Sequence, residues 1–133
     1  MAAVVFVQKE LTSVDSVRSV VNRDAIAITR RRIVALSSAS TDAVVLATGP
    51  SAVLFGVSES TALVGEFFNS HLRGKRVVDC GGSFSRGAAI TSDGSGRAVS
   101  TTTPGDRIIG YASSDGQGIG TTAEIELSWG CLR

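Results

Sequence analysis

His71 is the only histidine of this 133-residue chain, and it is therefore the first residue to test for acid–base chemistry. A catalytic histidine needs a nucleophile or substrate on one side and an acid that orients it on the other. The sequence around His71 shows no such arrangement of residues. His71 lies four residues after Phe67, in a segment that is predicted to be helical. We interpret it as an ordinary surface or interface side chain, and we predict no catalytic residues.

Metal and cofactor sites also lack their usual patterns. The chain has no Cys-x-x-Cys motif or His/Cys cluster, so a structural zinc is not predicted. Asp93-Gly94-Ser95-Gly96 offers one carboxylate, too few for calcium, and is typical of a hairpin tip. The glycine-rich segment 115–120 lacks the G-x-G-x-x-G spacing and precedes a strand, so it is not a dinucleotide loop. We predict neither a cofactor nor a metal.

Charge and length restrict the function classes further. Thirteen basic and twelve acidic residues give a formal charge of +1, which does not favour binding to nucleic acid. No apolar run approaches the ~20 residues of a membrane span, and the first residues lack a basic n-region. We therefore expect synthesis in a cytoplasm and no membrane partner. Cys80 and Cys131 could form a disulfide, although two reduced thiols are favoured there.

An internal repeat organises the chain. When the sequence is shifted by 54 positions, residues 32–60 align without gaps on residues 86–114, with eight of 29 positions identical. The only two prolines, Pro50 and Pro104, fall on each other. Repeats of this length usually mark a supersecondary unit that is used twice. The pattern therefore predicts a structural scaffold.

Strand and turn signals are clearest in the second copy. Runs 88–91 and 97–101 flank the Asp93-Gly94 turn, and a second turn is predicted at residues 103–106, where proline and glycine take the central positions. A strand follows at 107–112, and its Gly110 indicates a bulge or a close backbone approach. The last strand, 123–129, alternates apolar and polar residues, with Ile125, Leu127 and Trp129 on one face.

The first copy matches these strands at 34–36, 43–47 and 52–57, and a further strand is predicted at 75–80. Its continuation differs, because Ser60 could cap a helix whose apolar residues keep helical spacing up to Gly74. We predict a mainly β, barrel-like or sandwich-like domain built from two tandem β-repeats, with one short helix. Residues 1–25 form an N-terminal arm or edge element, and 26–133 form a single domain with repeats at 26–81 and 82–133.

The second copy resembles the decoration (cement) proteins that coat tailed-phage capsids. The resemblance rests on residues 85–91, the Asp93-Gly94 turn, residues 97–99, the Pro104-Gly105-Asp106 turn, residues 108–112 and the closing strand 123–127. It implies a small β-rich virion protein, commonly a homotrimer, that binds the outer capsid surface and reinforces junctions between major capsid subunits. It also implies that the major capsid protein and the chain itself are the partners.

Two segments are candidates for those contacts. Residues 4–7 could add a strand to another chain, or form an edge of the body. The cluster Arg30-Arg31-Arg32 could grip an acidic surface, although a solvated strand edge is the simpler interpretation. With the phenylalanines of the predicted helix, the candidate capsid or subunit contacts are Val4, Val5, Phe6, Val7, Arg30, Arg31, Phe67 and Phe68.

Two other functional classes remain open. A small-ligand or carbohydrate-binding β-module of a tail fibre or cell surface would need surface aromatics for stacking, and only Trp129 and Tyr111 are available. A hydrolase or nuclease would need paired carboxylates or histidines at useful spacing, and none occur. A glycan-binding screen would separate the first alternative from a capsid protein.

Overall fold

The computed structural model describes residues 17–128, which form twelve strands. In chain order they are β1 (Val17–Asn22), β2 (Ile33–Leu36), β3 (Ala43–Leu46), β4 (Leu54–Ser58), β5 (Phe67–His71), β6 (Arg73–Asp79), β7 (Ser83–Phe84), β8 (Ala89–Ser92), β9 (Ala98–Ser100), β10 (Gly110–Ala112), β11 (Gly116–Gln117) and β12 (Thr122–Ser128). The mainly β prediction is confirmed.

The predicted short helix is wrong. No helix occurs between residues 17 and 128, and the segment after Ser60 is a loop that leads into β5. Gly65 adopts a φ of 84°, which interrupts any right-handed helix. From Phe67 onwards, exposed and buried residues alternate with a period of two, and the strand pairs antiparallel with β1. The helical spacing of the apolar residues was therefore coincidental.

Strands β1 to β5 form a closed barrel in the order β1-β3-β2-β4-β5. Strand β1 pairs antiparallel with β5 and parallel with β3, through Val21–Ala43 and Asn22–Val44. It lies within the predicted arm 1–25, but it has partners on both sides and is integral to the barrel. Residues 1–16 lie outside the described part of the chain, as do 129–133, which include Trp129 and Cys131.

A second sheet has the order β6-β12-β10-β8-β9, and β7 and β11 form a separate two-stranded pair. The two outer strands of the five-stranded sheet also approach each other. Just after β6, Cys80 makes an isolated parallel bridge with Ala98 of β9, and the Gly81 amide donates to the Ala98 carbonyl over 2.8 Å. The end of β6 thus contacts β9 in parallel, and β9 is the third strand of this sheet in chain order. In the barrel, β1 contacts β3 in the same way.

Two apolar cores hold these sheets. One core contains barrel residues only, among them Val20, Val44 and Phe68. The other combines barrel residues such as Ile33 with residues of the second sheet such as Ile90 and Ile125. Because both sheets contribute to one buried cluster, the hydrophobic effect couples their folding.

The local predictions for the second copy are largely confirmed. The hairpin β8–β9 turns at Asp93, whose Oδ1 accepts the amides of Ser95 and Arg97 at 2.8 and 2.9 Å. The Asp106 amide donates to the Thr103 carbonyl over 3.3 Å, which closes the proline turn. In β12, Ile125 and Leu127 are buried between partly or fully exposed glutamates, as the alternation predicts.

Gly110 confirms the predicted close approach of another backbone. A Cβ at this position would collide with the Glu126 carbonyl oxygen, on the neighbouring strand β12. In the barrel, Gly56 of β4 has the same relationship, because a Cβ there would meet the His71 carbonyl oxygen of β5. Only glycine lets these pairs of strands pack so closely.

Candidate functional site

Four exposed apolar side chains lie on or beside two loops at one end of the barrel. Ile26 lies in the loop after β1, Leu63 and Val64 lie in the loop before β5, and Phe67 begins β5. Their exposed fractions are 56%, 60%, 57% and 70%. We call these four residues the end patch. Exposed apolar side chains that gather in this way typically mark an interaction surface.

Asn22, the last residue of β1, positions both loops. It is fully buried, and its Nδ2 donates to the carbonyls of Ile26 and Ala62, each over 3.0 Å. Its backbone amide donates to the Glu66 carbonyl at 2.9 Å, and its carbonyl accepts from Gly65 at 2.8 Å. A buried amide with both side-chain donors satisfied fixes the geometry of the groups that it binds. The sequence analysis did not identify Asn22, because its partners are distant in sequence.

A tight turn shapes the second loop. The Glu66 amide donates to the Leu63 carbonyl over 3.0 Å, and the Glu66 carboxylate accepts the Leu63 amide over 2.7 Å. These reciprocal bonds hold Leu63 and Val64 on the outside of the turn. The end patch is therefore part of an ordered loop structure, so docking on it would cost little conformational entropy.

The two candidate phenylalanines have different environments. Phe67 is exposed and belongs to the end patch, whereas Phe68 is 6% exposed and belongs to the barrel core. Successive side chains of a strand point to opposite faces, which separates the two rings. The structure corrects the prediction for Phe68, which is a core residue of the barrel and not a surface contact.

The arginine cluster divides between structure and surface. The Nε atoms of Arg31 and Arg32 contact the two carboxylate oxygens of Asp79 at 3.1 and 2.9 Å. Arg32 also donates to the Ser95 carbonyl over 3.0 Å. These contacts join the barrel to the second sheet. Arg30 is exposed and forms no ion pair with any described residue, and its amide donates to Thr61 Oγ1 beside the end patch.

His71 lies at the end of β5 rather than on a helix. Its Nε2 is 3.1 Å from Glu59 Oε2, and its Nδ1 is buried without a partner among residues 17–128. Burial lowers the pKa of His71, the nearby Arg76 lowers it further, and Glu59 opposes both. A mainly neutral imidazole paired with one carboxylate and no hydroxyl or thiol partner has the features of a packed structural histidine.

The remaining predictions concern thiols, metals and the N-terminal segment. Cys80 is buried and forms no disulfide with any residue between 17 and 128, whereas Cys131 and the candidate contacts at residues 4–7 lie outside the described residues. Among the residues that the structure describes, no three His, Cys, Asp or Glu side chains form a group that could hold a metal ion. Nor does this part of the chain contain a helix long and apolar enough to cross a membrane.

Comparison with known proteins gives the family. The model for the phage cement protein family matches residues 13–127, which is most of the chain. The chain belongs to the phage cement protein family. The resemblance in the sequence is thereby confirmed, and the match extends through the barrel as well as the second copy. A search of curated proteins gave no match.

A solved structure shares the fold of this cement protein family member. The chain is similar to the head fiber gp8.5 N base in bacteriophage phi29, with a TM-score of 0.68 and 18% sequence identity. The similarity covers 84% of this chain and 92% of that structure. The family and the shared fold indicate a structural virion protein located on a phage capsid.

Proposed function

We propose that this protein binds the outer surface of a phage capsid and stabilises the shell by bridging neighbouring major capsid subunits. The end patch is the observation that supports this role most directly, because four exposed apolar side chains are held in place by buried hydrogen bonds. The family match makes a capsid subunit the natural partner. The role is structural rather than enzymatic, and the protein reaches the capsid after synthesis in the host cytoplasm.

A rigid body is what such a bridge requires. We propose that the fold uses one module twice, as the repeat in the sequence predicts. The strand orders of the two sheets support this proposal, because they correspond strand for strand. The barrel contains the order β3-β2-β4-β5, and the second sheet contains the order β9-β8-β10-β12. The pairings also favour modules that begin with β1 and β6 rather than at residues 26 and 82.

We further propose that the protein is a homotrimer on the capsid. Three linked copies convert a modest contact energy into strong binding, because the second and third contacts form at a high effective concentration. Undoing such contacts costs free energy, so the shell resists the outward pressure of packaged DNA. Sedimentation or native mass spectrometry of the purified protein measures the number of subunits directly.

The test uses expanded capsids that lack this protein. Adding the purified chain should raise the capsid melting temperature in calorimetry, and co-sedimentation should give saturable binding. Phe67→Ser should weaken capsid binding about tenfold or more, because a buried Phe contributes about 1.5–3 kcal/mol. The matched control is Ile119→Ser, since Ile119 is 68% exposed in a loop of the second sheet.

Two results would contradict the proposal. If fully occupied capsids melt at the same temperature as bare ones, the protein does not reinforce the shell. If Phe67→Ser and Ile119→Ser bind equally well, the end patch is not the capsid contact. Subunit mass is measured for both variants, which distinguishes loss of capsid binding from loss of the oligomer.

A further inference from the structure

A groove of about 530 Å³ crosses the outer face of the second sheet, away from the end patch. Its floor is strand β8 and the residues before it, where Gly87 and Ala89 have small or no side chains. Tyr111 of β10 lies beside Ala89 on one side of β8, since the two residues are paired in register. Strand β9 pairs with the other side of β8, and the residues at its end, 100–102, line the opposite wall.

The groove offers an aromatic ring and free hydroxyls. Tyr111 is 45% exposed, although a tyrosine ring on a sheet face usually packs against neighbours. The side chains of Ser85, Thr102 and Tyr111 form no hydrogen bond with any residue between 17 and 128, and these three residues line the groove. Every lining residue is uncharged. Unpaired hydroxyls next to an exposed ring are typical of a ligand site with a few orienting polar groups.

The geometry points to a neutral sugar residue as the ligand, and we propose that this Tyr111 groove is a carbohydrate-binding site. A pyranose ring has an apolar face that stacks on an aromatic ring and hydroxyls that exchange hydrogen bonds with serine and threonine. A charged ligand would lose its hydration in the groove without gaining an ion pair, which disfavours it. This site is separate from the end patch, so it can operate while the protein is bound to a capsid.

The test is a sugar titration followed by NMR. Methyl glucoside, methyl galactoside and N-acetylglucosamine are added to the full-length protein at about 10 mM, above the millimolar Kd of a weak site. Glucuronate is the anionic comparison. The proposal expects at least one neutral sugar to shift the amide signals of Gly87, Ala89 and Tyr111, with glucuronate binding more weakly. A glycan array then identifies the preferred sugar.

Variants test the individual roles. Tyr111→Ala should weaken binding about tenfold, because aromatic stacking contributes up to about 1.5 kcal/mol. Tyr111→Phe keeps the ring and should stay within about threefold of the wild type, and Thr102→Ala should weaken binding about three- to tenfold. Val77→Ala is the matched control, because Val77 is 46% exposed on β6 and outside the groove.

Three results would overturn the proposal. The first is the absence of groove-specific NMR shifts with every sugar, together with the absence of binding to any glycan on the array. The second is equal sugar binding by the wild type and by a folded Tyr111→Ala variant. The third is a change of subunit number in Tyr111→Phe or Tyr111→Ala, which would make the groove a subunit interface. Capsid binding by Tyr111→Phe is measured in parallel, so failure of this site is distinguishable from failure of the cement role.

Discussion

Asp79 Oδ2 lies 2.9 Å from Arg32 Nε, and this ion pair joins β6 of the second sheet to the segment that leads into β2 of the barrel. The same carboxylate contacts Arg31 through Oδ1, and the Asp79 amide donates to the Arg31 carbonyl over 2.9 Å. One side chain thus binds two guanidinium groups and lies beside a backbone bond between the sheets. The arrangement gives Arg31 and Arg32 a structural role.

Replacement of Asp79 should therefore destabilise the fold. Asp79→Ala removes charge-assisted hydrogen bonds from two partly buried arginines and should lower the free energy of unfolding by about 1–3 kcal/mol. Urea titration followed by circular dichroism measures this change. The control is Asp42→Ala, because the Arg18–Asp42 pair is 3.4 Å long and largely exposed, and its loss should cost about 0.5 kcal/mol or less. Equal effects of the two variants would contradict the structural role of Asp79.

Asn22 should determine the order of the end patch. Asn22→Ala leaves the Ile26 carbonyl without its Nδ2 donor, and we expect a loss of about 1–3 kcal/mol in the free energy of unfolding. Hydrogen exchange at the Gly65 amide, which donates to the Asn22 carbonyl, should accelerate as the loop loosens. Asn69→Ala is the control, since Asn69 is an exposed residue of β5. Unchanged exchange at Gly65 in Asn22→Ala would show that the loop is ordered by other contacts.

Gly110 should not tolerate alanine. Strand interiors normally favour alanine over glycine by about 0.5–1 kcal/mol, but a Cβ at residue 110 would collide with the backbone of β12. Gly110→Ala should therefore destabilise the protein by about 2 kcal/mol or more, measured by thermal or urea unfolding. Gly82→Ala is the matched control, because the nearest atom to its new Cβ, 3.6 Å away, belongs to Val99. A neutral Gly110→Ala would contradict the close approach of β10 and β12.

His71 should make stability depend on pH. Its pKa in the folded protein lies below the ordinary value of 6.5, so the unfolded chain binds more protons as the pH falls below that value. The contribution of His71 is thus fully present above pH 6.5 and is lost as the pH falls towards the folded pKa. His71→Gln should show a weaker decline of unfolding free energy over this range than the wild type. Parallel declines in the two proteins would assign the pH dependence to other groups.

The sequence alone determined the local structure of the second copy, because short-range physical rules act there. Asp93-Gly94 predicts a hairpin since glycine accepts the backbone angles of a tight turn, and Pro104-Gly105 predicts the next turn for a similar reason. The alternation of Ile125 and Leu127 with glutamates identifies a half-buried strand. The resemblance carried by these elements was sufficient to predict the family correctly.

The same rules failed where the environment of a residue depends on distant chain segments. Helical spacing of apolar residues after Ser60 indicated a helix, but pairing with β1, about 50 residues earlier, made residues 67–71 a strand. The predicted repeat shows the same limit. The ungapped shift aligns Val34 with Ala88, whereas Val34 pairs with Gly56 in the barrel and it is Ile90 that pairs with Gly110 in the second sheet. Only the ladder hydrogen bonds define this register.

The surfaces that we propose to be functional depended on tertiary structure throughout. The predicted helix grouped Phe67 and Phe68 together, and the direction of each side chain in β5 then placed one ring on the surface and the other in the core. Asn22 and Asp79 had no signature in the sequence, and Tyr111 stood out only as an available surface aromatic, because the partners of these residues come together only when the sheets close. Local sequence fixes turns and strand faces through backbone preferences, whereas long-range pairing decides which side chains become neighbours.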